Sequence, residues 1–175
     1  MCLKYIQKSC HSVSHACPCG FLTDPKKECH CTPPKIQKYL SRISGPLLDR
    51  IDLHIEVPPL RYKELTDESC AEKSEMIKKR VESARNIQLE RFKHDGIFSN
   101  SQMNHRLTRK YCRLDEPSQA LIKQAITEMG FSARCYDKIL KLSRTIADLD
   151  SKDAIEPHHV SEAIQLRSLD RSHWI

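Results

Sequence analysis

Only four glycines occur in the 175 residues (Gly20, Gly45, Gly96 and Gly130), and no two of them are close. A phosphate-cradling loop needs clustered glycines followed by Lys-Ser/Thr, and a dinucleotide-binding turn needs three within six residues. Neither pattern is present, and no apolar strand ends in paired acidic residues that could hold magnesium. The chain therefore cannot assemble a P-loop nucleotide site by itself. Its longest apolar runs are a few residues, too short to span a bilayer. Residues 1–15 lack the apolar block of a signal peptide. The expected setting is cytoplasmic and reducing, with no membrane partner.

The net charge of +6 is not evenly spread. Residues 1–50 carry eight Lys/Arg against three Asp/Glu; residues 51–94 carry nine of each; residues 95–175 carry twelve against eleven. A basic segment can contact phosphate, and it can equally be a solvated face.

Four of the nine cysteines fall within fifteen residues, Cys17, Cys19, Cys29 and Cys31, spaced C-x-C-x9-C-x-C. Thiolates are the preferred soft ligands for zinc, and four of them close a tetrahedral structural site. In a reducing compartment such a cluster points to a metal before a disulfide. A structural zinc is the expectation, with reduced, unliganded thiols as the alternative and His15 and His30 as substitute donors. Cys70, Cys112 and Cys135 read as small buried apolar residues or inert helix positions.

Hydrophobic periodicity divides the rest. Residues 1–16 show no usable pattern, and residues 17–34 read as an irregular stapled loop. A short helix is expected near 35–43. Ile51, Leu53, Ile55 and Val57 alternate with Asp52, His54 and Glu56, which predicts an edge strand stopped by Pro58-Pro59. Ser69 to Glu72 is a capping box, behind which Ile77, Val81, Ala84, Ile87 and Phe92 recur at helical spacing. This predicts a long charged helix from about 69 to 94, ended by Gly96. A further helix is expected near 106–112. Three more follow: one from about Ser118 to a stop at Gly130, one capped by Ser132, and one opening at Pro157.

Three separated segments carry a resemblance. Cys17-Pro18-Cys19-Gly20 with Cys29-His30-Cys31 precedes Ser44-Gly-Pro-Leu-Leu-Asp-Arg-Ile-Asp52; later come Phe131-Ser-Ala-Arg-Cys-Tyr-Asp-Lys-Ile-Leu-Lys-Leu-Ser-Arg-Thr-Ile-Ala-Asp-Leu149 and His159-Val-Ser-Glu-Ala-Ile-Gln-Leu-Arg167. Together, and in this order, they resemble the second half of a magnesium-chelatase-like AAA+ ATPase of the ComM/YifB, competence-related, type. The resemblance implies a mainly α chain with a small α/β remnant: the C-terminal portion of an AAA+ core followed by a helical lid. On that basis residues 1–16 are a segment foreign to the family. Residues 17–60 end the core, with the cysteine loop and edge strand; 61–98 form a helical insertion; 99–175 form the lid.

The same resemblance implies roles. Arg50 matches the arginine finger that reaches the γ-phosphate bound by a neighbouring subunit, where a planar, permanently charged guanidinium stabilises charge on a transferring phosphoryl group. The competing reading pairs Arg50 with Asp49 or Asp52. Arg134 matches the lid arginine that answers ATP phosphate. It lies near the positive end of a helix, where a cation is locally unfavourable and an anion is sought. Arg144 on the same helix reads as structural. ATP with Mg belongs to the complete family module, whose subunits form a homo-hexamer linked to DNA processing. The Walker A and Walker B motifs are absent from this sequence, so no ATP hydrolysis is expected of the chain alone. Two alternatives stand beside this: a non-enzymatic zinc-loop protein binding nucleic acid through residues 1–50, and a truncated, non-functional reading frame.

Overall fold

The computed structural model describes residues 15–22, 24, 26–55, 57 and 72–167. The capping box at Ser69, the Pro58-Pro59 stop, Cys70 and the segment 1–14 lie outside the described residues. The chain divides into two compact units, Met1–Arg42 and Ile43–Ile175.

The first unit is a cysteine loop leading into α1 (Pro33–Leu40). Thr32 is its N-cap and Pro34 stands in its first turn, where the missing amide proton has no helical partner to lose. The loop turns at Cys17-Pro-Cys-Gly20, closed by the Gly20 amide donating to the Cys17 carbonyl at 3.1 Å. Gly20 has φ of +81°, which a side chain would strain.

The second unit is helical: α2 (Gly45–Leu48), α3 (Ser74–Arg91), a 3-10 turn (Asn100–Gln102), α4 (His105–Tyr111), α5 (Glu116–Met129), α6 (Ala133–Leu149) and α7 (Pro157–Gln165). The sequence punctuates them well. Asn104, Asp115 and Ser132 cap α4, α5 and α6 by accepting the amides of Leu107, Ser118 and Cys135. Gly130 stops α5 in the left-handed conformation, φ +62°. At the start of α7 the Glu156 carboxylate accepts the His159 amide while the His159 ring accepts the Glu156 amide, a reciprocal cap that replaces the usual Ser/Glu pair.

Helix α6 is the hub, packing on α3, α4, α7 and the 3-10 turn, while α5 packs on α7. Its Cys135, Ile139, Leu140, Ile146 and Ala147 join Phe92, Met103, Leu107, Cys112, Ile122, Ala125, Phe131, Ile155, Val160 and Ala163 in one apolar core. Burying each large side chain there contributes about 1.5–3 kcal/mol. Cys112 and Cys135 behave as buried apolar residues; burial pushes the Cys112 thiol up to about 12. No helix among the described residues is long and apolar enough to cross a membrane.

The edge strand expected at 51–57 is not formed; the described residues contain no strand, only a parallel bridge between Leu114 and Ile155. Alternation marks two faces, but a strand also needs a partner for its amides and carbonyls. Here the lid takes them instead, beginning with the His54 amide donating to the Leu166 carbonyl at 2.8 Å. Leu53, Ile55 and Val57 stay exposed. Helix α3 departs similarly: Ala84, Gln88 and the following Phe92 are buried, whereas Ile77 and Val81 remain exposed.

Candidate metal centre and arginine turn

The fold of the first unit brings the four predicted thiols together. All four sulfurs lie within 4.8 Å of one another. Cys17 and Cys19 are 3.3 Å apart, Cys19 and Cys29 3.5 Å, and Cys29 and Cys17 3.7 Å. A disulfide holds its sulfurs at about 2.05 Å. Four thiolates around zinc, at about 2.3 Å each in a tetrahedron, hold theirs near ~3.8 Å. The spacing fits the second arrangement, and the donor set is that of a closed structural site.

The electrostatics agree. Burial resists ionisation of Cys17, but the thiols of Cys19 and Cys29 and the amides of Leu22 and Gly20 hydrogen-bond to its sulfur and bring its pKa down to about 6. At Cys29 a hydrogen bond from the Cys31 backbone favours the thiolate, yet desolvation and the neighbouring thiols raise it to about 12. Cys31 is raised too, its bond from the Cys19 backbone being outweighed by donation to the Cys19 sulfur. The neighbouring thiols thus favour the Cys17 thiolate and oppose those of Cys29 and Cys31, and a cation among the sulfurs would offset that opposition.

In the second unit, Ser44 and Pro46 start α2, and the chain leaves it through a tight turn at Asp49 and Arg50. The Arg50 side chain is exposed, and its Nη1 donates to the Pro46 carbonyl at 2.6 Å. Among the described residues no carboxylate pairs with it. Asp52, the acidic neighbour that the competing reading offers, is held by Lys138 at 2.7 Å. Arg134 occupies the second position of α6, exposed and without an ion pair among the described residues, and the first turn of α6 contains no acidic residue.

Sequence reasoning missed Lys138 and Arg167. Lys138 Nζ also reaches the Arg50 carbonyl at 2.6 Å. Arg167, fully buried, donates to the carbonyls of Ile51 (2.6 Å) and Asp52 (3.1 Å) and to Cys135 Sγ (3.1 Å). Their partners are main-chain carbonyls 88 and 116 residues away, which leave no trace in composition or spacing.

Arg144 is structural, as expected. It and Arg91 converge on the buried carboxylate of Asp148, with Asn100 as a further donor at 2.8 Å. Arg144 also donates to the carbonyls of Asp153 and Lys152. Burial lowers its pKa from the ordinary value, opposed by the Asp148 charge.

A second group of metal-capable side chains, Asp150, His158 and His159, is better explained without an ion. His159 Nδ1 accepts the Glu156 amide, so the proton of the neutral ring sits on Nε2 and faces Asp150 at 3.1 Å. Coordination through Nε2 would break the helix cap.

Helix α4 adds a feature hidden by the even charge count of the C-terminal half. Every exposed residue from 105 to 113 is basic: His105, Arg106, Arg109, Lys110 and Arg113. Asp95 approaches Lys110 at 3.8 Å and Asp137 approaches His105 at 3.7 Å, and among the described residues no carboxylate pairs with the three arginines.

Two family models match the chain. The family described as magnesium chelatase, subunit ChlI C-terminal, matches residues 71–167, and the one described as magnesium chelatase, subunit ChlI, matches residues 10–65. The chain is 37% identical over 142 residues to the uncharacterised protein YifB of Salmonella typhimurium, covering 81% of this chain and 27% of that protein. It is 37% identical over 141 residues to the competence protein ComM of Haemophilus influenzae, covering 80% and 27%. It is 27% identical over 155 residues to the uncharacterised protein Mb2921c of Mycobacterium bovis, covering 89% and 30%. The chain thus spans less than a third of the length of these curated relatives.

Proposed function

The chain belongs to the magnesium-chelatase-like family of ComM/YifB type, and from that premise we propose that it supplies the arginine finger and lid of an ATP-hydrolysing assembly. Arg50 reaches the γ-phosphate of ATP and Mg bound by a neighbouring AAA+ subunit, within a homo-hexamer in the complete family protein. Arg134 contacts ATP phosphate from the lid. Cys17, Cys19, Cys29 and Cys31 hold a structural zinc that shapes the loop ahead of them, and their thiols fit a reducing, cytoplasmic setting. The observation that carries this reading is the state of Arg50: an exposed guanidinium at a turn, with neither adjacent carboxylate paired to it.

The sequence contains no Walker motif of its own, so the test uses complementation. The purified chain is mixed with Haemophilus influenzae ComM in which the residue aligned with Arg50 is replaced by Ala. Expected outcomes are no ATP hydrolysis by the chain alone, stimulated hydrolysis by the mixture, and loss of that stimulation by at least ~100-fold on Arg50→Ala, given that fingers contribute about 10³–10⁵ in kcat. Arg134→Ala should raise KM for ATP. Hydrolysis by the chain alone, or stimulation that survives Arg50→Ala, would overturn the assignment.

A second reading, a nucleic-acid-binding protein, is favoured by the basic stripe on α4 rather than by residues 1–50 alone. Arginine and lysine contacts to backbone phosphate release counterions, each lowering the slope of log K against log salt by about 0.9. If this reading holds, Arg106→Gln with Arg109→Gln flattens the salt dependence of duplex DNA binding by about two contacts. Anisotropy titrations over a range of KCl read this directly, and an unchanged slope counts against it.

A further inference from the structure

We propose that Lys138 and Arg167 are positioning residues that bind the Arg50 turn to the lid, so that Arg50 is carried by the helix that bears Arg134. This rests on the finger reading of Arg50 and specifies how that side chain is held.

Three consecutive carbonyls, those of Arg50, Ile51 and Asp52, are each taken by a cation from the lid. Lys138 Nζ binds the first at 2.6 Å and anchors on the Asp52 carboxylate at 2.7 Å; Arg167 Nη1 binds the second and third at 2.6 and 3.1 Å. The His54 amide adds a fourth tie, to Leu166 at the end of α7. Elsewhere the segment gains little from packing, since Leu47, Leu53, Ile55 and Val57 are exposed. Its position is therefore set by directional polar contacts rather than by apolar fit.

Arg167 makes the point most strongly. A fully buried guanidinium is expensive to desolvate, and an apolar side chain of similar volume commonly serves stability as well or better. What an apolar residue cannot do is fix two specific carbonyls in place with a planar, forked donor. The geometry is that of a device for position.

Lys138 is four residues beyond Arg134, on the same face of α6 and about one turn, ~6 Å, along it. A shift of α6 on contact between Arg134 and phosphate is transmitted to the backbone of residue 50 through the Lys138 contact. Misplacement of a reacting-centre group by ~1 Å can lower a rate by ~100-fold, so even modest loosening of this tie should be visible in kcat.

The test is the same complementation mixture, with substitutions in the 175-residue chain and ATP as the probe. Lys138→Met should lower the stimulated kcat by about 10- to 100-fold with KM for ATP unchanged, and Lys138→Arg should restore most of it. Asp52→Asn, which removes only the carboxylate anchor at the surface, should give a smaller loss in the same parameter. Lys138 is mostly buried but lies outside the apolar cluster, and a thermal melt of each variant verifies folding; should Lys138→Met fail to fold, the Asp52→Asn result decides. If Arg50→Ala abolishes stimulation while Lys138→Met and Asp52→Asn match the wild-type chain, the positioning role is wrong and the finger reading stands. If Arg50→Ala has no effect, or the wild-type chain does not stimulate, the finger reading fails and this inference with it. A rise in KM on Lys138→Met at constant kcat would make Lys138 a nucleotide contact and overturn the positioning role.

Discussion

The two compact units of this chain are held together by different chemistry. In the second, fifteen apolar side chains form one core around α6. In the first, Cys17 is the only fully buried side chain among the described residues, and α1 buries none. Its four sulfurs stand where a larger domain would place leucines. Burial of surface is non-directional and grows with chain length; a four-thiolate site is directional and needs only a loop with the right turns. On the proposed zinc site, the order of the cysteine loop would depend on an ion, and the order of the lid would not.

The largest expected effect separates these two directly. Structural zinc in small domains contributes about 10–16 kcal/mol of apparent binding energy, most of which is folding energy. Chelation, or Cys17→Ser, should abolish the ordered amide signals of residues 17–31 in a heteronuclear NMR spectrum while leaving those of α6 in place. Metal analysis should return one zinc per chain before chelation. Loop signals that persist without metal would show that the thiols are held by the backbone alone, and the contrast between the units would collapse.

Within the lid a smaller effect sharpens the comparison, because there too a polar group sits among apolar ones. Asp148 accepts from Arg91, Arg144 and Asn100 at full burial. Asp148→Ala leaves two largely buried guanidinium groups without their charge partner and should cost about 3–5 kcal/mol in urea unfolding. The exposed Lys78–Glu82 pair sets the scale: Glu82→Gln should cost no more than ~0.5 kcal/mol. If the two substitutions cost the same, the network is not what ties α3 to α6.

Different parts of this architecture were legible to different degrees. The clustering of the four thiols was legible in their spacing, because four cysteines within fifteen residues lie on one short loop. Helix α6 could be read from Ser132, Gly130 and its apolar period. The start of α5 lies slightly earlier than the expected Ser118, because Pro117 stands at the second helical position and Asp115 is the cap. The alternation at 51–57 was misleading for a physical reason: period describes which side chains share a face, whereas a strand is made by a neighbour. The exposure of Ile77 and Val81 has the same origin, since period does not say what covers a face. Arg144 read as structural, but its partner Asp148 did not stand out in sequence, and packing on α3 makes the two a buried centre. Lys138 and Arg167 were invisible because a main-chain carbonyl has no sequence signature.

The smallest expected effect lies at a helix end and varies with pH. Asp115 caps α5, accepting the Ser118 amide at 2.9 Å, and the Ser118 hydroxyl beside it together with that bond holds its carboxyl below the ordinary carboxylate range. A depressed folded-state pKa means that the ionised form is preferred in the folded chain. Its stabilisation is complete above the unfolded value, about 3.9, and is lost as the pH falls through the lower folded value. Asp115→Asn keeps a competent cap but cannot titrate. The difference in thermal midpoint between the wild-type chain and this variant should therefore be constant from pH 7 down to about 5, then shrink as the pH falls below about 4. Because α5 belongs to the unit held by burial, this shrinkage should appear whether or not zinc is bound. A pH profile that changes on chelation would instead tie the cap of α5 to the cysteine loop, and the division between a metal-held and a burial-held unit would have to be redrawn.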